Sequence, residues 1–414
     1  MGSSNSHKGT KSATKKALSG LKVVEYSHFI SGPYCAKLLA DLGAEVVKIE
    51  DPGAGDRSRA VGPYVNNEPH PEGSGLFAYL NTNKLGITLD VKSSTGRKVL
   101  HHLLEKADIF VENNPPHMMK KWGLAYEDLR KINPKLIMTS ITAFGQTGPY
   151  RDYKGCDLIT YHSSLSGNTT PRFAEPDQPP LKTAGRMTEF YAGQNGAMTS
   201  MGAVLARRKT GRGQQIDISA QECFINNLWA AFPAYFFSGD TVTRRGVTAF
   251  APIAVLPVKD GYVSFQFSSE AQWESLVKLM GNPEWAENEL FKDQWARGEN
   301  WDALKYFMMD WLEDKTKQSF FHQAQGVRCP VGPVNTMEEV VNCEHLKARN
   351  FFEDIEISNA GKAKAPSAPY KFSETPRVID RPAPLLGQHN EEIYCGRLGY
   401  EKDDLTMMRG AGII

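Results

Sequence analysis

The 414-residue chain lacks several things, and each absence removes a class of function. No apolar run approaches ~18 residues, so no membrane span is predicted. The six cysteines (35, 156, 223, 329, 343, 395) form no C-x-x-C pair. That argues against a disulfide framework or a zinc ribbon and fits a reducing, cytoplasmic setting. Formal charge nearly cancels at +1, so neither a nucleic-acid nor an acidic-membrane surface is indicated. The ten histidines show no paired ligand spacing beyond His101-His102, which reads as helix surface, and no metal site is expected. Residues 1–19 carry no acid and little apolar content. They read as a disordered basic tail, without the apolar stretch of a secretory signal.

What remains is an ordinary globular composition with α/β order. Leu21 to Glu25 is a short apolar strand, Pro33 to Leu42 has helical spacing, Gly43 stops the helix, and Ala44 to Glu50 is the next strand. Further strands are expected over Ile87–Val91, Ile109–Asn113, Leu136–Thr142 and Gln215–Ser219, with helices over Ser94–Lys106 and Tyr126–Ile132. A βαβ alternation of this kind builds an open, mostly parallel, doubly wound (Rossmann-like) sheet. The first turn, Ser27-His28-Phe29-Ile30-Ser31-Gly32-Pro33, has no G-x-G-x-x-G, which disfavours a dinucleotide site of the usual kind. We expect residues 20–228 to form the first part of this large domain and 229–335 a smaller α+β domain; residues 336–414 then return to the large domain.

One residue stands out. Glu189 lies just before a helix expected from Phe190 to about Arg207, with Ala197, Met198, Met201, Val204 and Leu205 on one face. Free N–H groups and the positive dipole end favour a carboxylate there and would keep it ionised. It is either an ordinary helix-start acid or a nucleophile aimed out of the fold. Gly193, Gly196 and Gly202 leave room for close packing or for a ligand.

Four blocks of sequence belong together: Gly20–Glu50 with Pro52-Gly53-Ala54-Gly55-Asp56 and Asn81-Thr82-Asn83-Lys84; Ala107–Asn113 with Ile141–Tyr150; the Glu189 helix with Thr210-Gly211-Arg212-Gly213-Gln214; and Pro330–Val334 with Ala383–His389. In their order and spacing they resemble the family III CoA-transferases, the CaiB/BaiF family of formyl-CoA:oxalate and carnitine CoA-transferases, related to α-methylacyl-CoA racemase. The resemblance spans roughly residue 20 to the C-terminus.

It implies a CoA-transferase in which a carboxylate attacks an acyl-CoA thioester, with CoA and acyl-CoA as substrates and no permanently bound cofactor. Glu189 falls where relatives place a catalytic Asp, so the same group sits on one more methylene. His28, Phe29 and Ile30 fall along the CoA, and Lys121 matches a phosphate-contacting position that is usually Arg. Lys154 matches a second basic position; Asp56 and Arg59 line the same groove or form a structural turn. Cys156 stands where the racemase branch has His and the transferases commonly Tyr. That disfavours racemisation, since a second base is missing, and leaves Cys156 to shape the acyl pocket. The stretch Thr243–Pro252 lacks the family's Gly-rich or His-Pro segment, and Arg244 and Arg245 there meet a substrate carboxylate or solvent. The family's chains are interlocked, so a homodimer or a heterodimer with a related chain is implied. Three readings stay open: an active transferase, a silent or weak subunit of a heteromeric one, and an acyl-CoA isomerase, racemase or lyase.

Overall fold

The computed structural model describes residues 16–171, 177–228, 231–242, 244, 252–357 and 361–414. Two compact units result, one bounded by Met1–Gly167, Lys182–Trp229 and Asn350–Ile414, the other by Asn168–Leu181 and Ala230–Arg349. The return to the larger unit thus falls at Asn350, against position 336 in the sequence reading.

In the larger unit six strands form one parallel sheet: β1 (Lys22–Tyr26), β2 (Glu45–Glu50), β3 (Lys84–Thr88), β4 (Ile109–Glu112), β5 (Ile137–Thr142) and β6 (Gln215–Ser219). Their order is 3-2-1-4-5-6, that of doubly wound sheets, with the reversal between β1 and β4. β3 and β4 are buried along their whole length, as a sheet covered on both faces requires. Neighbouring residues on each strand feed opposite cores. Val24, Val47, Leu85, Phe110 and Met138 go to one side, and Val23, Val46, Ile109 and Ile137 to the other, which is the period-2 alternation of a strand.

The helices of this unit begin α1 (Ser31–Asp41), α2 (Gly75–Leu80), α3 (Ser94–Glu105), α4 (Pro116–Lys121) and α5 (Tyr126–Ile132). They continue with α6 (Asp157–Ser163), α7 (Met187–Thr210) and α8 (Ala220–Ile225). α1 and α7 cover one face of the sheet, through Cys35, Leu39, Ala192 and Val204. α3, α5 and the C-terminal segment cover the other, through Leu100, Leu129, Tyr394 and Leu405. The α1–α7 approach depends on Gly193, where an added Cβ would lie 2.5 Å from the Ser31 carbonyl oxygen. Gly196 packs tightly on Ile141 and Cys35, whereas Gly202 faces open space.

Three expectations are corrected. β3 begins at Lys84, not Ile87. α7 starts at Met187, which puts Glu189 inside the first turn. The proposed apolar face of α7 splits: Ala197 and Val204 are buried, but Met198 and Leu205 are 64% and 56% exposed.

The smaller unit has an antiparallel sheet of β7 (Ile253–Val258), β8 (Gly261–Gln266) and β9 (Val331–Pro333). It shares a core with flanking helices through Leu256, Phe265, Trp273, Met308 and Phe320, an α+β arrangement. Among the described residues no helix is long and apolar enough to cross a membrane. All six cysteines are free.

Candidate active site

The ends of β1, β4 and β5 and the starts of α6 and α7 surround a cavity of about 830 Å³. It opens at the carboxyl ends of the strands beside the topological reversal, where open α/β sheets place their ligands.

The turn after β1 forms one wall and is held from below. The His28 N–H donates to Asn113 Oδ1 at 2.9 Å, and Asn113 Nδ2 donates back to the His28 carbonyl at 2.7 Å. Phe29 has the left-handed φ of 72°, uncommon for a bulky residue. Its N–H is fixed by a 3.0 Å bond to Asp56 Oδ1. Asp56 is anchored by Lys48 at 2.7 Å; Lys48 also meets Glu25 at 2.9 Å, and Glu25 meets Lys84 at 2.7 Å. These four side chains are buried. Charges removed from water need several well-placed partners each, which this chain of ions supplies. Burial works against the Asp56 charge, but Lys48 outweighs it and holds the carboxyl well below its usual range. Burial brings the Lys84 ammonium down to about 8, with Glu25 opposing. Arg59 is likewise internal, paired with Glu50 at 2.7 Å. Asp56 and Arg59 therefore form the structural turn, and the neighbouring Arg57 reaches the cavity instead.

Glu189 lies on the wall formed by α7. Its helix start is capped from α6: Asp157 Oδ1 accepts the Thr188 N–H and hydroxyl, both at 2.9 Å, while Asp157 Oδ2 pairs with Lys182 at 2.7 Å. The direction of Glu189 is thus set by a neighbouring helix. Its Oε2 is buried without a hydrogen-bond partner. Against the expectation of a firmly ionised acid, the surroundings raise the proton affinity of this carboxyl. Burial pushes the carboxyl up to about 7, Arg186 pulls it back, and the Asp157 carboxylate adds to the rise. Desolvation is the largest cause because a carboxylate oxygen with no donor loses its hydration without replacement. A carboxyl balanced near neutrality in a cleft is a common mark of a functional group.

The remaining candidates divide. His28 lines the cavity with its Nδ1 unpartnered, and burial lowers its proton affinity so that the ring is neutral. Phe29, Lys154 and Cys156 line it too. Gly155 separates the last two because a Cβ there would fall 2.3 Å from that of Ala143. Ile30 is buried in the core, 1% exposed, and Lys121 is exposed at the end of α4, away from the lining. Arg245 lies outside the described residues. Sequence reasoning missed Asn113, Arg57, Arg151 and Arg186. For Arg186 a signal existed, a cation three residues before the singled-out carboxylate. The lining carries Arg57, Arg151, Lys154 and Arg186 against Asp152 and Glu189. That positive balance suits a ligand with several anionic groups. Among the described residues no cluster could hold a metal ion.

Comparison with known proteins gives this arrangement its class. The model of CoA-transferase family III matches residues 18–390. Succinyl-CoA–D-citramalate CoA-transferase of Chloroflexus aurantiacus is 31% identical over 403 residues, covering 96% of this chain and 98% of the relative. The alpha subunit of succinyl-CoA–L-malate CoA-transferase from the same species is 31% identical, covering 96% and 92%. A crystal structure of a CaiB/BaiF family protein from Brucella suis superposes with a TM-score of 0.80 at 31% identity, covering 92% of this chain and 99% of that one. The chain belongs to CoA-transferase family III.

Proposed function

We propose that this enzyme moves coenzyme A from an acyl-CoA to a carboxylic acid with Glu189 as the nucleophile. A Glu189 oxygen attacks the thioester carbonyl, the C–S bond breaks, and CoA leaves as a thiolate, giving a mixed anhydride. The thiolate attacks the glutamyl carbonyl, and the donor acid departs as a carboxylate. The acceptor carboxylate then runs the two steps in reverse and collects CoA. Overall one thioester is consumed and one is formed, so no oxidant or external energy source enters. Covalent catalysis divides one difficult exchange into easier steps.

The observation that carries this reading is the Glu189 carboxyl, half-buried on the cavity wall with one oxygen unsatisfied. A poorly solvated carboxylate is a stronger nucleophile than a hydrated one, and the partly dry setting slows hydrolysis of the anhydride. His28 and Phe29 would flank the pantetheine, and Lys154 and Arg151 the phosphates. Lys121, which is not among the lining residues, would act only at the outer end of the CoA.

The test is mass spectrometry of the intact protein after incubation with a panel of acyl-CoA thioesters. Loading should add an acyl or CoA adduct that maps to Glu189 and vanishes in Glu189→Gln. CoA binding without any adduct or exchange would sink the proposal.

We also propose that the chain works paired, with a second copy or a related chain. The subunit named in one relative supports this, as do the exposed Met198 and Leu205 on α7. Native mass spectrometry would show the dimer, and a monomer at micromolar concentration would refute it.

A further inference from the structure

We infer that Arg186 determines specificity at the acyl end of the site: it binds the second carboxylate of a short dicarboxylic acid whose first carboxylate is handled by Glu189. The inference rests on the proposed role of Glu189. Arg186 is the N-cap residue just before α7, three positions before Glu189, and it is exposed on the cavity lining. It exerts the largest opposite-charge pull on Glu189, yet the two form no ion pair within 4.0 Å, and no carboxylate among the described residues pairs with it. Arg151, another guanidinium of the lining, is by contrast already engaged by Asp152 at 3.0 Å.

Arg186 is nevertheless held in place. Its guanidinium stands 4.5 Å from the centroid of the Phe29 ring, and the turn carrying that ring is pinned by Asp56. Stacking on an aromatic face orients a guanidinium while leaving its in-plane N–H fork open, the geometry that receives a carboxylate in bidentate fashion. The location limits what the fork can meet. CoA carries its phosphates at the end remote from the thioester, and the thioester carbon must come to Glu189. A cation beside Glu189 therefore faces the acyl group, and an anion presented there has to be borne by the acid being exchanged.

The experiment compares succinyl-CoA with butyryl-CoA, two four-carbon acyl chains differing at the terminal carboxylate, in single-turnover loading of the full-length protein. Wild type should favour succinyl-CoA. Arg186→Ala should lower the ratio of the two kcat/KM values by about 10- to 100-fold, the usual effect of removing one charged hydrogen-bond partner. Arg186→Lys, which keeps charge but loses the fork, should fall between. A role confined to the acidity of Glu189 would slow both thioesters equally, shift the midpoint of the pH profile upward and leave the ratio unchanged; that result overturns the inference, as does equal loading by wild type. Absence of loading from either thioester in wild type would instead overturn the role of Glu189, and the inference with it.

Discussion

Removing the charge of Glu189 should make the protein more stable while it abolishes acyl transfer. Burial pushes the folded carboxyl up to about 7, against an ordinary value of 4.5 in the unfolded chain. A raised folded pKa in an acid means that its contribution to stability is fully present below 4.5 and is lost as pH rises through 7. At about 1.4 kcal/mol per pKa unit, the full cost at pH 8 is about 3 kcal/mol, and partial contact with cavity solvent reduces it to about 2 kcal/mol. Glu189→Gln keeps the shape without the charge. In urea denaturation it should therefore gain about 2 kcal/mol over wild type at pH 8 and less than about 1 kcal/mol at pH 5. The pH dependence of the difference is the decisive quantity, because a mere packing change would be the same at both values. A variant no more stable than wild type at pH 8, or one equally stabilised at pH 5 and 8, would refute the idea that desolvation governs this carboxyl.

Other outcomes follow from the same geometry. Single-turnover loading should rise about tenfold per pH unit below 7 and level off above it; a flat profile between pH 5.5 and 8.5 would contradict a titrating nucleophile. Glu189→Asp should load about 10- to 100-fold more slowly, since Asp is one methylene shorter and a displacement of ~1 Å is costly; rapid-quench mass spectrometry measures this. Asp56→Ala leaves Lys48 buried with fewer partners and should destabilise by about 3–5 kcal/mol in urea titrations; a loss under 1 kcal/mol would show that the ion chain does not brace the Phe29 turn.

The sheet was largely legible because parallel strands buried on both faces announce themselves as apolar runs between Gly and polar turns. Tyr126–Ile132 and Gln215–Ser219 fall where periodicity places them. β3 was misplaced because it opens on Lys84, whose ammonium is satisfied by Glu25 across the sheet, a long-range pairing that local pattern cannot show. α6 and α4 were missed as short helices whose N-cap residues, Cys156 and Pro115, accept no backbone N–H through a side chain. At the site, the carboxylate was visible as chemistry but not its protonation. Helix position is a local property, whereas the burial that shifts Glu189 comes from how the whole cavity closes around it. Arg186 escaped notice for a related reason: its meaning depends on Phe29, about 160 residues away in sequence.

The interior chain of ions beneath the Phe29 turn has an implication for how such an enzyme could diversify. Because the seat of the turn is fixed by side chains that never meet solvent, the residues that line the cavity around it can be exchanged with little risk to the fold. New acid preferences could then arise by drift at positions such as 156 and 186, while the deep charges, mutually dependent, would change only together or not at all.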